Sequence, residues 1–141
     1  MSGADFLDSN ILVYLFDPAD ARRKGIAEQL VSRAHHAGTA IISFQVVQET
    51  LNVLTRKLKP PMTREDALRA LQNVLTPLWR VQPSAALYAR ALGVQERYQF
   101  SFYDSMIVAA ALEAGCARLL SEDLQHGQKI EGLTIKNPFI A

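Results

Sequence analysis

The chain has 141 residues, 49% hydrophobic and 21% charged, with a formal net charge of +1 at pH 7. That length suits one domain with a real hydrophobic core, and the near-zero charge balance excludes a global basic field advertising a nucleic-acid partner. The longest apolar run, Met106 to Leu112, is far too short to span a bilayer, and the lone cysteine, Cys116, rules out an internal disulfide.

Short apolar runs alternate with helix-length amphipathic segments, which predicts an α/β fold with a mainly parallel sheet. A first strand at Asp5–Leu7 leads into a helix at Asn10–Phe16, closed off by Pro18. A second helix at Ala21–His36 ends before Gly38, and a second strand follows at Thr39–Ser43. The third helix, Phe44–Leu58, stops at Pro60-Pro61. Thr63 with Asp66 resembles a capping box opening a fourth helix at Arg64–Leu75. A third strand at Trp79–Gln82 and helices at Ser84–Tyr98 and Phe102–Ala114 come next, with Gly115 suited to a left-handed helix terminus. Strands at Arg118–Ser121 and Leu133–Ile135 complete a sheet of about five strands. No repeat, linker or low-complexity tract interrupts residues 1–141, so a single domain is expected.

Four carboxylates stand where a strand or apolar helix meets a loop: Asp8, Glu49, Asp104 and Asp123. In an open parallel sheet such positions converge on the crevice outside the carboxyl ends of the strands. Carboxylates gathered there repel one another unless their pKa values rise or a divalent cation sits among them.

Each acid also has a plainer reading. Asp8 follows the first strand and can serve as an N-cap, although Ser9 and Asn10 can cap equally well. Asp5 begins the same strand, at its opposite end. Glu49 falls at the margin of the apolar face made by Val46, Val47, Thr50, Leu51, Val53 and Leu54, a common place for a solvated residue. Asp104 has capping-box spacing from Ser101, and the residues after it are almost wholly apolar. Asp123 and its neighbour Glu122 occupy a polar loop, where acids often form turns. By composition alone either could be the functional acid. The coincidence of four such positions is what points to a metal site.

The whole chain resembles a PIN domain, and within that superfamily a toxin of the VapC type. The resemblance rests on Asp8-Ser-Asn-Ile-Leu-Val-Tyr, Gln48-Glu-Thr-Leu-Asn-Val-Leu, Phe102-Tyr-Asp-Ser-Met-Ile-Val-Ala-Ala-Ala and Leu119-Leu-Ser-Glu-Asp-Leu, which occur in the family's order. It carries the family's acids to Asp8, Glu49, Asp104 and Asp123. Its small polar residue before the last acid falls on Ser121, and a polar position beside the first acid on Asn10. It implies a three-layer α/β/α sandwich, an Mg²⁺- or Mn²⁺-dependent ribonuclease, a homodimer, and an antitoxin whose tail occupies the active-site groove.

On that reading Asp8 and Asp104 are direct metal ligands. Glu49 and Asp123 bind a second ion or orient its waters, and Ser9, Asn10 and Ser121 hydrogen-bond around them. Cations for RNA phosphates come from Arg22-Arg23-Lys24 or from Arg56, Lys57 and Lys59, although such runs are commonly solvated helix faces. Tyr14, Phe16, Phe102 and Tyr103 flank the acids as core residues, with room for one to stack on a base. No Cys/His set suits zinc. His35, His36 and His126 lie outside the motifs, and Cys116 reads as a packing residue. The lone cysteine and the lack of a signal peptide lead one to expect the cytoplasm. Two alternatives remain in view: a PIN-like module that holds RNA or protein without cutting, and a PIN nuclease of RNA processing. Phosphoryl transfer through Asp8 is a poor fit, because the second Asp it needs is here Asn10.

Overall fold

The computed structural model describes residues 4–140. Its strands are β1 (Asp5–Leu7), β2 (Ala40–Ser43), β3 (Trp79–Val81), β4 (Arg118–Leu120), β5 (Lys129–Ile130) and β6 (Leu133–Lys136). They form one six-stranded sheet in the order β3-β2-β1-β4-β6-β5. Every pairing is parallel except β5 with β6. The residues of β1, β2 and β4 are nearly all buried, as expected of strands covered on both faces.

The helices are α1 (Ser9–Phe16), α2 (Ala21–Ala37), α3 (Phe44–Arg56), α4 (Arg64–Ala70), α5 (Thr76–Leu78), α6 (Ala85–Tyr98) and α7 (Phe102–Glu113). Helix α1 packs on α2 and α3, while α6 packs on α7. The chain steps outward from β1 to β3 and then returns to β4 on the other side of β1. Right-handed crossovers therefore place α6 and α7 on the face opposite the earlier helices. This gives the expected sandwich. Helix α7 is its centrepiece, with every residue from Ser105 to Ala111 buried.

The sheet has six strands rather than about five. The additional one, β5, pairs antiparallel with β6 through a two-residue turn in which Glu131 adopts φ 55°. A non-glycine residue at positive φ gives no turn signal in sequence, and a two-residue strand shows no alternation. The expected helix at Arg64–Leu75 is also subdivided. It relaxes into a π-helical turn over Leu71–Leu75, where the Thr76 N–H bonds Leu71 O, and then continues as α5 around Pro77. Proline has no N–H to donate to the helical ladder, and altered pairing beside it is the physical consequence.

The caps follow the sequence closely. Thr63 Oγ1 accepts from Asp66 N, and Ser101 Oγ accepts from Asp104 N. Asp66 completes no reciprocal box and pairs with Arg69 instead. Gly38 and Gly115 have φ of 64° and 71°, the left-handed backbone that makes glycine the natural residue at both helix ends. No helix among the described residues is long and apolar enough to cross a membrane.

Candidate active site

Strands β1 and β4 lie side by side at the point where the strand order reverses, the place where such sheets open a crevice. Their pairing runs past the strand ends: Asp8 N donates to Leu120 O at 3.0 Å. That bond sets Asp8 beside Ser121, the residue leaving β4. Glu49 arrives on α3, which follows β2, and Asp104 on the first turn of α7. Asp8, Glu49, Asp104 and Asp123 all line one crevice of about 270 Å³, together with Ser9, Asn52, Val53, Lys57 and Ile107. The four acids expected from sequence thus share one wall-to-wall site.

Asp8 is the most enclosed of them, with 5% of its surface exposed. It caps α1 by accepting from Ser9 N at 2.7 Å, so the capping reading applies to Asp8 itself rather than to Ser9 or Asn10. Its other oxygen accepts from Ser121 Oγ at 2.7 Å. Neither donor carries a full charge. Burial raises the Asp8 pKa from 3.8 to about 6; the bonds from Ser121 and Ser9 lower it, and the charges of Glu49 and Asp123 raise it again. A buried carboxylate surrounded by neutral donors and other acids lacks a cation of the protein's own.

Glu49 and Asp123 are held by polar side chains. Ser9 Oγ donates to Glu49 Oε1 at 3.1 Å, and Gln45 Nε2 donates to Glu49 Oε2 at 3.1 Å. Asn10 Nδ2 donates to Asp123 Oδ2 at 3.1 Å, and Asp123 N donates to Ser121 Oγ at 3.1 Å. Ser121 therefore bridges two of the acids. Ser9, Asn10 and Ser121 all stand where sequence placed them, hydrogen-bonded to the carboxylates.

Gln45 is the addition that sequence reasoning missed. It is buried, and its amide also donates to Tyr103 O at 3.0 Å. One side chain on α3 thereby ties Glu49 to the turn that carries Asp104. The signal was present: Gln45 precedes Glu49 by four residues, which puts both on one helix face.

Glu122 and Asp123 differ in their neighbours, which for Glu122 lie far away in sequence. Tyr14 Oη donates to Glu122 Oε1 at 2.6 Å, and Arg23 Nε donates to its Oε2 at 2.6 Å. Burial and this carboxylate push the Tyr14 phenol up to about 12. Glu122 is occupied, and Asp123 is the acid of that pair that faces the crevice.

The two cationic clusters differ in the same way. Arg22 donates to Phe139 O, Arg23 also pairs with Asp20 at 2.8 Å, and Lys24 donates to Leu15 O at 2.8 Å. Arg56, Lys57 and Lys59 are exposed, and Lys57 lines the crevice. Among the histidines, His35 approaches Val74 O, while His126 Nδ1 accepts from Asn137 N at 3.0 Å. Cys116 is buried, with its thiol pushed up to about 11 by burial, which suits packing rather than nucleophilic chemistry.

Among the described residues, no three Asp, Glu, His or Cys side chains stand close enough to grip one ion as they lie. The donor set is nonetheless all oxygen and rich in charge. It fits a hard divalent cation of the Mg²⁺ or Mn²⁺ type, which takes one or two carboxylates and retains several waters.

Comparison with known proteins agrees with this architecture. Residues 6–129 match the family model of the PIN domain. No curated protein matches the sequence at a significant level. A crystal structure of Mycobacterium tuberculosis VapC20, titled a Sarcin-Ricin loop cleaving toxin, superposes with a TM-score of 0.64 at 24% identity, covering 85% of this chain and 92% of that one. A toxin-antitoxin complex from Klebsiella pneumoniae gives a TM-score of 0.68 at 19% identity, covering 96% and 98%. VapBC2 from Rickettsia felis, bound to a DNA fragment from its promoter, gives 0.67 at 17% identity, covering 95% and 98%. At these identities the likeness is one of fold. With the family model spanning most of its length, the chain belongs to the PIN-domain family.

Proposed function

We infer that the protein is a metal-dependent endoribonuclease, the toxin of a toxin–antitoxin pair, with Asp8, Glu49, Asp104 and Asp123 as its cation-binding acids. The observation that carries this reading is their convergence on one crevice in which Asp8 is buried and bonded by neutral donors alone. The solved structures of similar fold add support, since one is a Sarcin-Ricin loop cleaving toxin, one a toxin-antitoxin complex and one VapBC2 bound to promoter DNA.

Asp8 and Asp104, with Glu49 and Asp123 completing the set, would hold Mg²⁺ or Mn²⁺, which when bound would lower the pKa of a water and neutralise charge on the phosphodiester. The protein's own groups have separate tasks. Ser121 and the Ser9 N–H hold the Asp8 carboxylate ionised and oriented against the desolvation that favours its protonated form. Ser9 and Gln45 fix both oxygens of Glu49. Lys57 stands where it can meet a phosphate entering between the acids, and Arg56 and Lys59 are exposed cations beside it in sequence. The first cluster, Arg22, Arg23 and Lys24, is less suited to RNA because its groups already bond within the fold.

A cognate antitoxin is the expected protein partner, and a homodimer the expected assembly. The test is cleavage of total bacterial RNA by wild type and Asp104→Asn, each with Mg²⁺, Mn²⁺ or EDTA. Discrete products from wild type with metal alone, missing in the variant, support the reading. Folded, metal-loaded wild type that leaves every RNA intact contradicts it.

A further inference from the structure

The crevice presents a problem for any polyanion that enters it. Four carboxylates line it with one cation, Lys57, and the whole chain carries only +1. Counterion release from phosphate contacts, which dominates binding by basic proteins, is correspondingly small here. Affinity for a nucleic acid must draw on a contact that does not depend on charge.

Tyr103 offers one. With 67% of its surface exposed it is the most exposed large aromatic or aliphatic residue described, ahead of Leu92 at 56% and Ile140 at 52%. It immediately precedes Asp104 in the first turn of α7. Its backbone is fixed relative to the acids, because its carbonyl accepts from the same Gln45 amide that holds Glu49. The half-buried Phe102 ring meets it edge-on, with centroids 5.5 Å apart and planes at 77°. The ring is thus braced at its base and open to solvent, on the residue next to the crevice-lining Asp104. Tyr88 and Leu92 are also exposed, but on α6, which supplies none of the crevice-lining residues, whereas α7 supplies Asp104 and Ile107.

We propose that Tyr103 is a nucleobase-stacking residue that seats a base of the substrate RNA beside the scissile phosphate. The proposal rests on the nuclease reading and deepens it. Stacking on an aromatic face tolerates any base and requires only that the base be free of its own helix, so duplex RNA gains nothing from the ring.

The test compares wild type, Tyr103→Phe and Tyr103→Ala. Cleavage of total bacterial RNA with Mg²⁺ is measured as kcat and KM. Binding of a fluorescein-labelled single-stranded RNA of mixed sequence, and of its duplex, is measured by anisotropy in an Asp8→Asn background. Position 103 lies in the first turn of a helix and is exposed, so alanine should leave the circular dichroism spectrum and melting unchanged. Tyr103→Ala is expected to raise KM and the single-strand Kd about 5- to 150-fold, the range of one lost stacking contact. kcat should change little, Tyr103→Phe should match wild type, and duplex binding should be unaffected. Equal binding and cleavage by Tyr103→Ala and wild type overturns the proposal and leaves the ring as a protein-docking residue. Equal weakening on single strand and duplex also overturns it. Wild type that neither binds nor cleaves RNA overturns the nuclease reading itself, an outcome distinct from either of these.

Discussion

The two edges of the parallel sheet treat the same residue type in opposite ways. At the amino edge, Asp5 opens β1 and receives two bonds from Arg118, at 2.8 and 2.6 Å. Nearby, Arg90 joins Glu113 at 2.9 Å and Glu131 at 3.0 Å. At the carboxyl edge, Asp8 ends the same strand and is bonded by a serine hydroxyl and a backbone N–H. The fold neutralises its acids at the amino edge with arginine, whereas at the other edge it holds Asp8, Glu49 and Asp123 with uncharged donors. Among the described residues the four crevice acids form no ion pair, and three of them are fixed in place by Ser9, Asn10, Gln45 and Ser121, the setting that the proposed cation site requires.

Substitution at the two edges should break the symmetry between Asp5 and the crevice acids. Asp104→Asn should lower RNA cleavage more than about 100-fold, beyond the usual effect of a residue that only supports a ligand. Asp5→Asn should leave kcat within about two-fold, an expectation drawn from its distance in the fold from any reacting group. Steady-state rates on one RNA preparation check both.

Removing the donors rather than the acids should have a smaller effect. Gln45→Met keeps the volume but frees Glu49 and the Tyr103 carbonyl, and Ser121→Ala frees Asp8. Each should weaken divalent-cation binding about 10- to 100-fold, with calorimetric titration as the readout. A melting temperature close to that of wild type would show that the loss concerns orientation rather than folding.

The uncompensated charge at Asp8 also predicts a pH dependence in EDTA. Its folded pKa, about 6, lies above the unfolded value of 3.8. The folded state binds the proton more tightly, so this contribution is fully present below the unfolded pKa and is lost as pH rises through the folded one. The loss should be on the order of 2–3 kcal/mol. Asp8→Asn should flatten that slope in urea melts between these pH values. Steady or rising wild-type stability across the same window would speak against the buried, unpaired carboxylate.

Smaller effects belong to the neutralised acids. Glu122→Gln should cost about 1–3 kcal/mol by weakening its bonds to Tyr14 and Arg23, while divalent-cation binding stays unchanged. Arg118→Ala at the amino edge should cost about 1 kcal/mol or less, as expected of a partly exposed ion pair. Chemical denaturation measures both.

Much of this contrast was legible in the sequence. Asp5 opens a short strand and Asp8 directly follows it, which assigns them to opposite sheet edges from the sequence alone. The apolar run after Asp104 signalled a buried helix whose first turn opens on the crevice. Other features depend on long-range contacts. That Glu122 is taken and Asp123 available is decided by Tyr14 and Arg23, on helices more than ninety residues earlier in the chain. The double role of Gln45 depends on how α3 meets α7, and β5 on a positive φ at Glu131 that sequence does not announce.

The central claim is that the carboxyl edge binds a divalent cation and the amino edge does not. It is tested most directly by Mn²⁺ titration of wild type, Asp5→Asn and Asp104→Asn, followed by electron paramagnetic resonance of the free ion. Wild type and Asp5→Asn should take up Mn²⁺ alike, and Asp104→Asn should lose that uptake. Folded wild type that leaves the free Mn²⁺ signal undiminished, or Asp104→Asn that binds as wild type does, would contradict the account.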